Sequence, residues 1–392
     1  MNNIIKPKKD KWEGTTRLRS DGRWEASISI DGTRKSFYGK TEAEAKKKMR
    51  DYRSKVAAGY VNPKRVLFAE YIYNWLIEKK WNKVRESTFD RYESVYYHHI
   101  KNTIGKKNIG SITDKDIQNL LKEKANPTTD EQPLSYSSVK KIYELIAPCF
   151  KYAYDHKHIN IDPCMDVTIP SIDKFVKQTK ETVILNEDEI SLFKKSCLVL
   201  DGKNEYKYKN GLYYIFILNT GLRCGELLAL TWDDVDLNNK TIKVTKTVQS
   251  NVKNRTNKGK KRINKVGNPK SKKSIRTIPL NEQAIFCLKE IIEYNKRYNL
   301  NTEYVASSAV GTRVRARNLQ RTLDIIINNS NMKHFSLHDL RRTFGSTLLR
   351  KNIDISVVSS LMGHASTKIT YDAYIKILEE QRVSAINMLN VS

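Results

Sequence analysis

The sequence predicts a multidomain α+β fold, and three observations support this prediction. The 392 residues exceed the roughly 100–200 that make up one domain. Hydrophobic residues form 39% of the chain, enough for more than one core. Short alternating segments occupy the first 60 residues and the region around 241–280, whereas residues 65–165 carry apolar side chains at helical spacing.

The first 60 residues predict a small antiparallel sheet. Two pairs, Asp21-Gly22 and Asp31-Gly32, separate alternating runs. We expect type I′ turns at both pairs, because such turns need positive φ at two central residues. One face of the predicted sheet is apolar and consists of Trp24, Ala26, Ile28 and Ile30.

A helix should follow this sheet. Thr41 and Glu44 have the spacing of a capping box, and Gly59 would end the helix. Residues 1–60 hold 16 basic and 8 acidic side chains, a net charge of +8. Five basic residues lie on or beside the predicted strands: Arg17, Arg19, Arg23, Arg34 and Lys35. They would either bind DNA, with a face of the sheet in a groove, or form a solubilising surface.

The middle of the chain predicts an all-helical unit. Segments such as "FAEYIYNWLIEKKW" and "SSVKKIYELIAPCFKYAYDH" place apolar residues at helical spacing. Pro163 and Pro170 mark its end. Residues 171–184 are polar and lack a clear period, so they predict an exposed linker.

From Leu185 onward the pattern is mixed. Asn186 and Glu189 predict a capped helix, "NGLYYIFILNT" predicts another that Gly221 stops, and "RCGELLAL" predicts a third. "KTIKVTKTVQ" and "KKSIRTIPL" alternate like paired strands. Residues 251–276 hold 11 Lys or Arg and no acid, which predicts either a solvated loop or a β-hairpin arm that grips phosphates.

The charge of the whole chain indicates a polyanionic partner. Lys and Arg number 71 against 43 Asp and Glu, for a net charge of +28 and a pI near 9.7. A protein this basic usually binds nucleic acid. The five scattered Cys lack metal-ligand spacing, and neither a signal-peptide core nor a stretch of 18 apolar residues is present. We therefore expect a cytoplasmic protein with reduced cysteines.

The stretch "SLHDLRRTF" carries the first candidate site residues. Ser336 and Asp339 predict a capped helix start, so His338 lies in the first turn. His338 and Arg341 are three residues apart and share a helix face. The free N–H groups of that turn favour an anion.

Two other segments suit the same anion. In "NTGLRCGELLAL", Arg223 follows a glycine break, and it either pairs with Glu226 or clamps a phosphate. In "LMGHASTKITYDAY", His364 follows Gly363 at a helix end and Tyr374 lies on the next helix.

Together these segments resemble the tyrosine recombinases, or phage-type integrases, of conjugative transposons and phages of low-GC Gram-positive bacteria. "TGLRCGELLAL", "PKSKKSIRTIPL", "LHDLRRTF" and "LMGHASTKITYDAY" resemble the family's first arginine box, lysine hairpin, His-x-x-Arg box and Gly-His…Tyr box, in family order. The resemblance implies an arm-type DNA-binding domain at 1–62, a helical core-binding domain at 63–168, a linker at 169–184 and a catalytic domain at 185–392.

The resemblance also implies roles for individual residues. Tyr374 would attack the scissile phosphate and form a 3′-phosphotyrosyl bond, while Arg223 and Arg341 hold the phosphate oxygens. Lys270 would protonate the leaving 5′-oxygen. The histidines would serve in proton transfer (His338) and in a hydrogen bond to the phosphate (His364). A phenol is a poor nucleophile at neutral pH, and we expect the clustered cations to lower its pKa.

Some assignments leave alternatives. Lys272 and Lys273 both lie near Lys270 in the hairpin, and Lys272 could replace Lys270 as the general acid. Tyr371 lies one turn before Tyr374, but the family spacing favours Tyr374. Arg342 is expected to be structural or to contact the DNA backbone.

The family implies a wider assembly and a function. It implies double-stranded DNA with core and arm sites, a homotetramer, an excisionase, a host DNA-bending protein and no cofactor, metal or ATP. The apolar residues of the last helix (Val383, Ile386, Met388 and Leu389) would dock on a neighbouring subunit or pack on their own domain. The expected function is integration and excision of a mobile element. The alternatives are an inactive DNA-binding regulator and a DNA-relaxing enzyme like the type IB topoisomerases.

Overall fold

A computed structural model describes residues 14–30, 33–57, 66–178, 182–253, 262–268 and 272–388. The chain divides into two compact units, Met1–Thr179 and Lys180–Ser392. Each unit contains its own hydrophobic clusters, so the predicted multidomain α+β fold is confirmed. The finer division into an arm-type, a core-binding and a catalytic domain stays a prediction.

The first unit begins with the predicted sheet and helix. The strands are β1 (Thr15–Leu18), β2 (Trp24–Ile30) and β3 (Thr33–Gly39), antiparallel in that order, and α1 (Glu42–Ala57) follows. Ala26 and Ile28 of β2 are buried against Ala45 and Met49 of α1, as the alternation predicts.

The prediction of a type I′ turn at Asp21-Gly22 is wrong, although a hairpin is present there. Arg19 and Arg23 still pair across the hairpin, since the Arg19 N–H donates to the Arg23 carbonyl at 2.9 Å. Only Gly22 in this loop has a positive φ, +78°. The loop therefore has three residues, a type I turn closed by a left-handed glycine. The second pair, Asp31-Gly32, and the predicted helix stop at Gly59 lie outside the described residues.

The rest of the first unit is helical. Its helices are α2 (Phe68–Lys79), α3 (Glu86–Val95), α4 (Asp114–Ala125) and α5 (Tyr136–Asp155). A π-helical turn, Tyr96–Ile100, extends α3, and two short 3-10 turns precede α4. The apolar faces of these helices form one cluster, in which Phe68 of α2 stacks on Phe150 of α5 at 4.5 Å between ring centroids.

The exposure predicted for residues 171–184 does not hold at Phe175. This side chain is 2% exposed and packs edge-on against Tyr136 of the helical cluster. Asn126 fixes the backbone on either side, because its amide bonds the Lys174 carbonyl and the Val176 N–H. One aromatic side chain thus anchors a segment whose composition is that of a linker.

The second unit is mainly helical with two small sheets. Its helices are α6 (Glu187–Cys197), α7 (Gly211–Thr220), α8 (Cys224–Ala229), α9 (Glu282–Arg297), α10 (Ala316–Asn329), α11 (Leu337–Arg350), α12 (Ile355–Met362) and α13 (Thr367–Met388). Its strands are β4 (Val235–Asp236), β5 (Thr241–Val244), β6 (Thr247–Lys253), β7 (Arg262–Gly267) and β8 (Arg276–Pro279). β5 pairs with β8 as predicted, β4 adds a third strand, and β6 and β7 form a separate hairpin.

Helix α7 is the central helix of this unit. Nine of its ten residues are buried, and α6, α9 and α11 contact it. A helix that is apolar on all sides is stable only when it is surrounded by other elements. Its two ends therefore fix the positions of the loops that leave it, at Asn210 and at Gly221.

The described chain contains five free cysteines, and four of them are buried. Burial raises the pKa of every one of these thiols. In the parts of the chain that the structure describes, none of the helices has the length and apolarity needed to cross a membrane.

Candidate active site

Arg223 lies where two helices of the second unit meet. Gly221 takes a left-handed conformation (φ +62°) and ends α7, and Arg223 then caps α8. The Arg223 guanidinium donates to Glu226 at 2.7 Å, and its backbone N–H donates to the same carboxylate at 3.0 Å. The predicted pairing with Glu226 is therefore present, while the Arg223 side chain remains 36% exposed and open to a ligand.

Arg341 is the most buried of the predicted cations. It points inward from the second turn of α11 and is 1% exposed. It donates to the Gly221 carbonyl at 2.5 Å and to the Met362 carbonyl, and Glu226 lies 4.0 Å away. Burial and the neighbouring Arg223 lower the pKa of Arg341, but a guanidinium stays charged at neutral pH.

Arg276 completes the cluster, and the sequence reasoning missed it. It lies on β8, its side chain is 6% exposed, and it donates to Glu226 at 2.9 Å and to the Leu361 carbonyl at 2.6 Å. A signal was available in the sequence. Arg276 alternates with Ile278 on a predicted strand, so an inward-facing cation in need of a partner was to be expected.

The three arginines hold the end of α12. The carbonyls of three successive residues, Leu361, Met362 and Gly363, accept hydrogen bonds from Arg276, Arg341 and Arg223 respectively. The last carbonyls of a helix lack partners within the helix and carry a partial negative charge. The arginines satisfy these groups and thereby fix the turn that leads into His364.

The two predicted histidines differ in environment. His364 Nδ1 lies 2.8 Å from the Thr370 hydroxyl, and burial followed by the charges of Arg341 and Arg223 lowers the pKa of His364 to about 4. His338 is exposed on the first turn of α11, yet partial desolvation, Arg342 and Arg341 lower its pKa as well. Both lowered pKa values favour neutral imidazoles at pH 7.

Tyr374 is buried beside the cluster. It is 2% exposed, its hydroxyl donates to Met362 Sδ at 3.4 Å, and its backbone (φ −126°, ψ 20°) interrupts α13. Gly345 makes room for the ring, because a Cβ there would lie 2.4 Å from the Tyr374 hydroxyl.

The neighbouring cations act on Tyr374 in the expected direction, but they do not produce a net decrease of its pKa in this structure. Burial raises the pKa of Tyr374 to about 12, although Arg341 and Arg342 act in the opposite direction. The phenol therefore remains protonated in this arrangement. Tyr371, the alternative, is less buried, and its hydroxyl accepts a hydrogen bond from Arg382 of the same helix at 3.1 Å.

The other predicted residues of the second unit are scattered. Lys270 lies outside the described residues, as does the side chain of Lys272. Lys273 is exposed on the 3-10 turn before β8. Arg342 donates to the Thr182 hydroxyl at 2.5 Å and lies 3.6 Å from Asp339, so it is tied to its own unit.

Each basic residue predicted on the N-terminal sheet has a partner in the sheet, in its hairpin loop or on helix α1. Arg17 and Arg19 both pair with the buried Glu25, and Arg23 pairs with Asp21 at 2.8 Å. Of the two from β3, Arg34 donates to the Ser27 hydroxyl at 3.0 Å and the Lys35 ammonium lies 4.2 Å from the Tyr52 ring centroid. These contacts hold the side chains in place, and they leave the predicted role in DNA binding untested.

The assembled site combines a cationic cradle with one buried phenol. Three guanidinium groups surround one carboxylate, which leaves an excess of two positive charges beside a tyrosine. Such a cradle suits an oxyanion, and guanidinium groups bind phosphate oxygens with directed hydrogen bonds.

Two family models match this chain. The model described as the phage integrase family matches residues 184–381, the range that contains the whole cluster. The chain belongs to the phage integrase family of tyrosine recombinases. A second model, the N-terminal SAM-like domain of phage integrases, matches residues 67–125 of this integrase-family chain. The predicted family is thereby confirmed, and with it an enzyme class that cuts and religates DNA strands.

Relatives and solved structures agree with this membership. The integrase is 28% identical over 374 residues to a XerC-like tyrosine recombinase of Caldanaerobacter subterraneus, covering 91% of each chain. It is 23% identical to the ICEBs1 integrase of Bacillus subtilis, covering 85% of this chain and 83% of that relative.

Two solved integrases share the fold. A fragment of the Tn1549 transposon integrase, in complex with circular intermediate DNA, superposes with a TM-score of 0.66 at 19% identity, covering 79% of this chain and 95% of that one. A lambda integrase from a tetramer bound to a Holliday junction superposes with a TM-score of 0.55 at 15% identity, covering 92% of this chain and 94% of that one.

Proposed function

We propose that this protein is a site-specific DNA recombinase that integrates and excises a mobile element. In this proposal Tyr374 attacks a phosphate of double-stranded DNA and forms a 3′-phosphotyrosyl intermediate. The observation that carries the proposal is the position of a buried tyrosine beside three guanidinium groups on one carboxylate. Arg223 is the member of the cluster that remains open to a ligand.

The excess charge of the cluster fits the reaction. A phosphodiester carries one negative charge, and the pentavalent species formed by a phenolate attack carries two. Two surplus positive charges therefore complement the transition state better than the substrate, which is the condition for catalysis. Arg223 and Arg341 would hold the non-bridging oxygens, with no metal or ATP in the reaction. For the buried Arg341 this requires that DNA binding replace one of its carbonyl partners by the phosphate.

The protons also have to move. The phenol is protonated, so its proton must leave as the oxygen bonds to phosphorus, and a proton must reach the departing 5′-oxygen. His338, exposed and with a lowered pKa, is suited to accept the first, and Lys270 is our proposed donor of the second. His364 would donate a hydrogen bond to the phosphate from the turn that the arginines hold.

The tyrosine must change partners before it reacts. Its hydroxyl bonds Met362 Sδ and lies in a space that Gly345 leaves open. We propose that DNA binding brings the hydroxyl to the phosphate, because a neutral phenol with a raised pKa is a weak nucleophile.

We propose that the enzyme acts as a homotetramer on core sites, with the N-terminal sheet on arm sites and an excisionase and a host DNA-bending protein as accessory partners. Val383 and Ile386 support a docking role of the last helix, because they are 64% and 63% exposed in this chain. Met388 and Leu389, predicted to share that role, have no described side chains.

Covalent trapping tests the proposed chemistry. The wild type, Tyr374→Phe and Tyr371→Phe are incubated in EDTA with nicked duplexes that carry the ends of the element. We expect an SDS-resistant protein–DNA adduct from the wild type and from Tyr371→Phe, and none from Tyr374→Phe. Tight DNA binding without any wild-type adduct would favour a DNA-binding regulator, and relaxed circles without recombinant joints would favour a relaxation enzyme.

A further inference from the structure

A second polar pocket lies at the opposite end of α7 from the arginine cluster. It is a cavity of about 500 Å³ between residues 207–210, residues 307–309 and helix α10. The ten residues of α7 separate it from Gly221 by about 15 Å, at 1.5 Å of rise per residue. None of the predicted site residues lines this pocket.

Lys209 is the main charged group of the pocket. It is partly buried, and its ammonium donates to the Ser307 hydroxyl at 3.2 Å and lies 4.3 Å from the Tyr294 ring centroid. Within the described ranges no carboxylate lies at ion-pair distance from it. Burial lowers the pKa of Lys209 to about 8, so the folded chain retains a cation that would be better solvated in water.

The other lining groups also favour an anion. No Asp or Glu is among the described residues that line the cavity. Arg321 of α10 and Lys207 add two cations, while Asn210 and Thr322 bond each other at 3.0 Å and present further polar atoms. An ammonium, a guanidinium and neutral donors without a carboxylate match a group with several anionic oxygens.

We propose that this pocket binds a backbone phosphate of the DNA strand, away from the phosphate that is cut. The inference rests on the proposed function, because it takes DNA as the substrate. DNA is favoured over a small free anion because the chain carries a net charge of +28, which is typical of proteins that bind nucleic acid. The separation of about 15 Å corresponds to roughly four nucleotides at 3.4 Å per nucleotide along one strand. The proposal requires one duplex to contact both the arginine cluster and the Lys209 pocket, and the methylphosphonate scan described next tests this requirement.

The test combines one substitution with one neutralised phosphate. Duplexes that carry a single uncharged methylphosphonate, at each position within eight nucleotides of the cleavage site, are titrated against the wild type and Lys209→Met. Lys289→Met is the matched control, because Lys289 is exposed on α9 and does not line the pocket. Thermal unfolding shows whether each variant is folded.

We expect one backbone position at which the methylphosphonate weakens wild-type binding about tenfold, the loss of one charge-assisted contact. Lys209→Met should bind that duplex and the unmodified duplex equally, and Lys209→Arg should restore part of the difference. Lys289→Met should behave like the wild type. The proposal is overturned if Lys209→Met loses the same factor as the wild type at every position.

Two further readouts separate this proposal from the others. Titration of inorganic phosphate into the DNA-free protein, followed by the NMR signal of the Lys209 side chain, would reveal a small-anion site. Binding there without any position-specific DNA effect would overturn the assignment to DNA. The Lys209→Met variant should still form the Tyr374 adduct at saturating DNA, whereas loss of the adduct in the wild type itself would refute the proposed function instead.

Discussion

At the scale of single residues, Glu226 determines how the arginine cluster is held together. Its carboxylate, 2% exposed, bonds Arg223 and Arg276 and lies near Arg341. Burial opposes its ionisation, but the hydrogen bond and charge of Arg276 and the charge of Arg223 outweigh it, and the pKa of Glu226 lies below its usual value. Without this anion, three buried or half-buried cations would face one another.

Replacement of Glu226 should therefore destabilise the protein. We expect Glu226→Gln to lower the free energy of unfolding at pH 7 by about 3–5 kcal/mol, the cost of leaving buried charges unpaired. Urea denaturation followed by circular dichroism measures the difference. Glu282→Gln is the control, since Glu282 pairs with Lys240 on the surface.

The difference between wild type and Glu226→Gln should depend on pH with a defined sign. The folded pKa is lowered, so the stabilisation is present above the ordinary value of 4.5 and is lost as the pH falls through the folded pKa. The stability curves of the two proteins should therefore converge below pH 4.5. Parallel curves down to pH 3 would mean that the charge of Glu226 contributes nothing.

At the scale of elements, the C-terminal end of α12 links three other elements through hydrogen bonds. Its last carbonyls accept from arginines on β8, on α11 and at the start of α8. A shift of this helix end would carry His364 with it, and Met362, the partner of the Tyr374 hydroxyl, would move as well. We infer that Arg276 is a positioning residue, because it touches α12 and Glu226.

Arg276→Lys tests this role. Lysine keeps the charge but lacks the planar fork that bonds Glu226 and the Leu361 carbonyl together. We expect the single-turnover rate of adduct formation to fall at least tenfold, since small misplacements of reacting groups cost up to about 10²-fold, while the Kd for DNA changes less than twofold. Arg297→Lys, at an exposed pair with Glu205, is the matched control. Equal losses in rate and affinity would indicate a general structural defect instead.

Elements were predictable where their signals are local. Each of these signals involves residues that are close together in sequence. The structure contains the capping pairs Asn186–Glu189 and Ser336–Asp339 and the glycine stop at Gly221. The turn at Asp21-Gly22 was mispredicted because the dipeptide sets the presence of a hairpin but not its loop length. Phe175 was missed because its partner, Tyr136, is 39 residues away in sequence.

At the scale of the whole molecule, two of the three clustered arginines and the neighbouring tyrosine could be named from the sequence, but Arg276 and the geometry of the cluster could not. The four motifs place cations and a tyrosine in order along the chain, and the fold brings most of them together. The contacts of Arg276 with Glu226 and Leu361 span 50 and 85 residues, so no local pattern could reveal them. Nor could composition show that burial of Tyr374 outweighs its neighbouring cations.

The net charge of +28 is a property of the whole chain and predicts strong salt dependence. Each phosphate neutralised by Lys or Arg releases condensed counterions. We expect affinity for a duplex to fall by at least about 10³ between 50 and 200 mM KCl, as it does for proteins with six or more phosphate contacts. Fluorescence anisotropy at several salt concentrations measures the slope. An affinity that does not change with salt would contradict a basic DNA-binding surface.

The raised pKa of all five thiols has a practical consequence for chemical labelling. Maleimides react with the thiolate, and these side chains hold little of it at neutral pH. A cysteine introduced on the exposed face of α13, as in Val383→Cys, would react far faster than the native ones. A single fluorophore could thus be attached to the last helix with every native cysteine left in place, and its emission would report whether that helix meets another subunit on DNA.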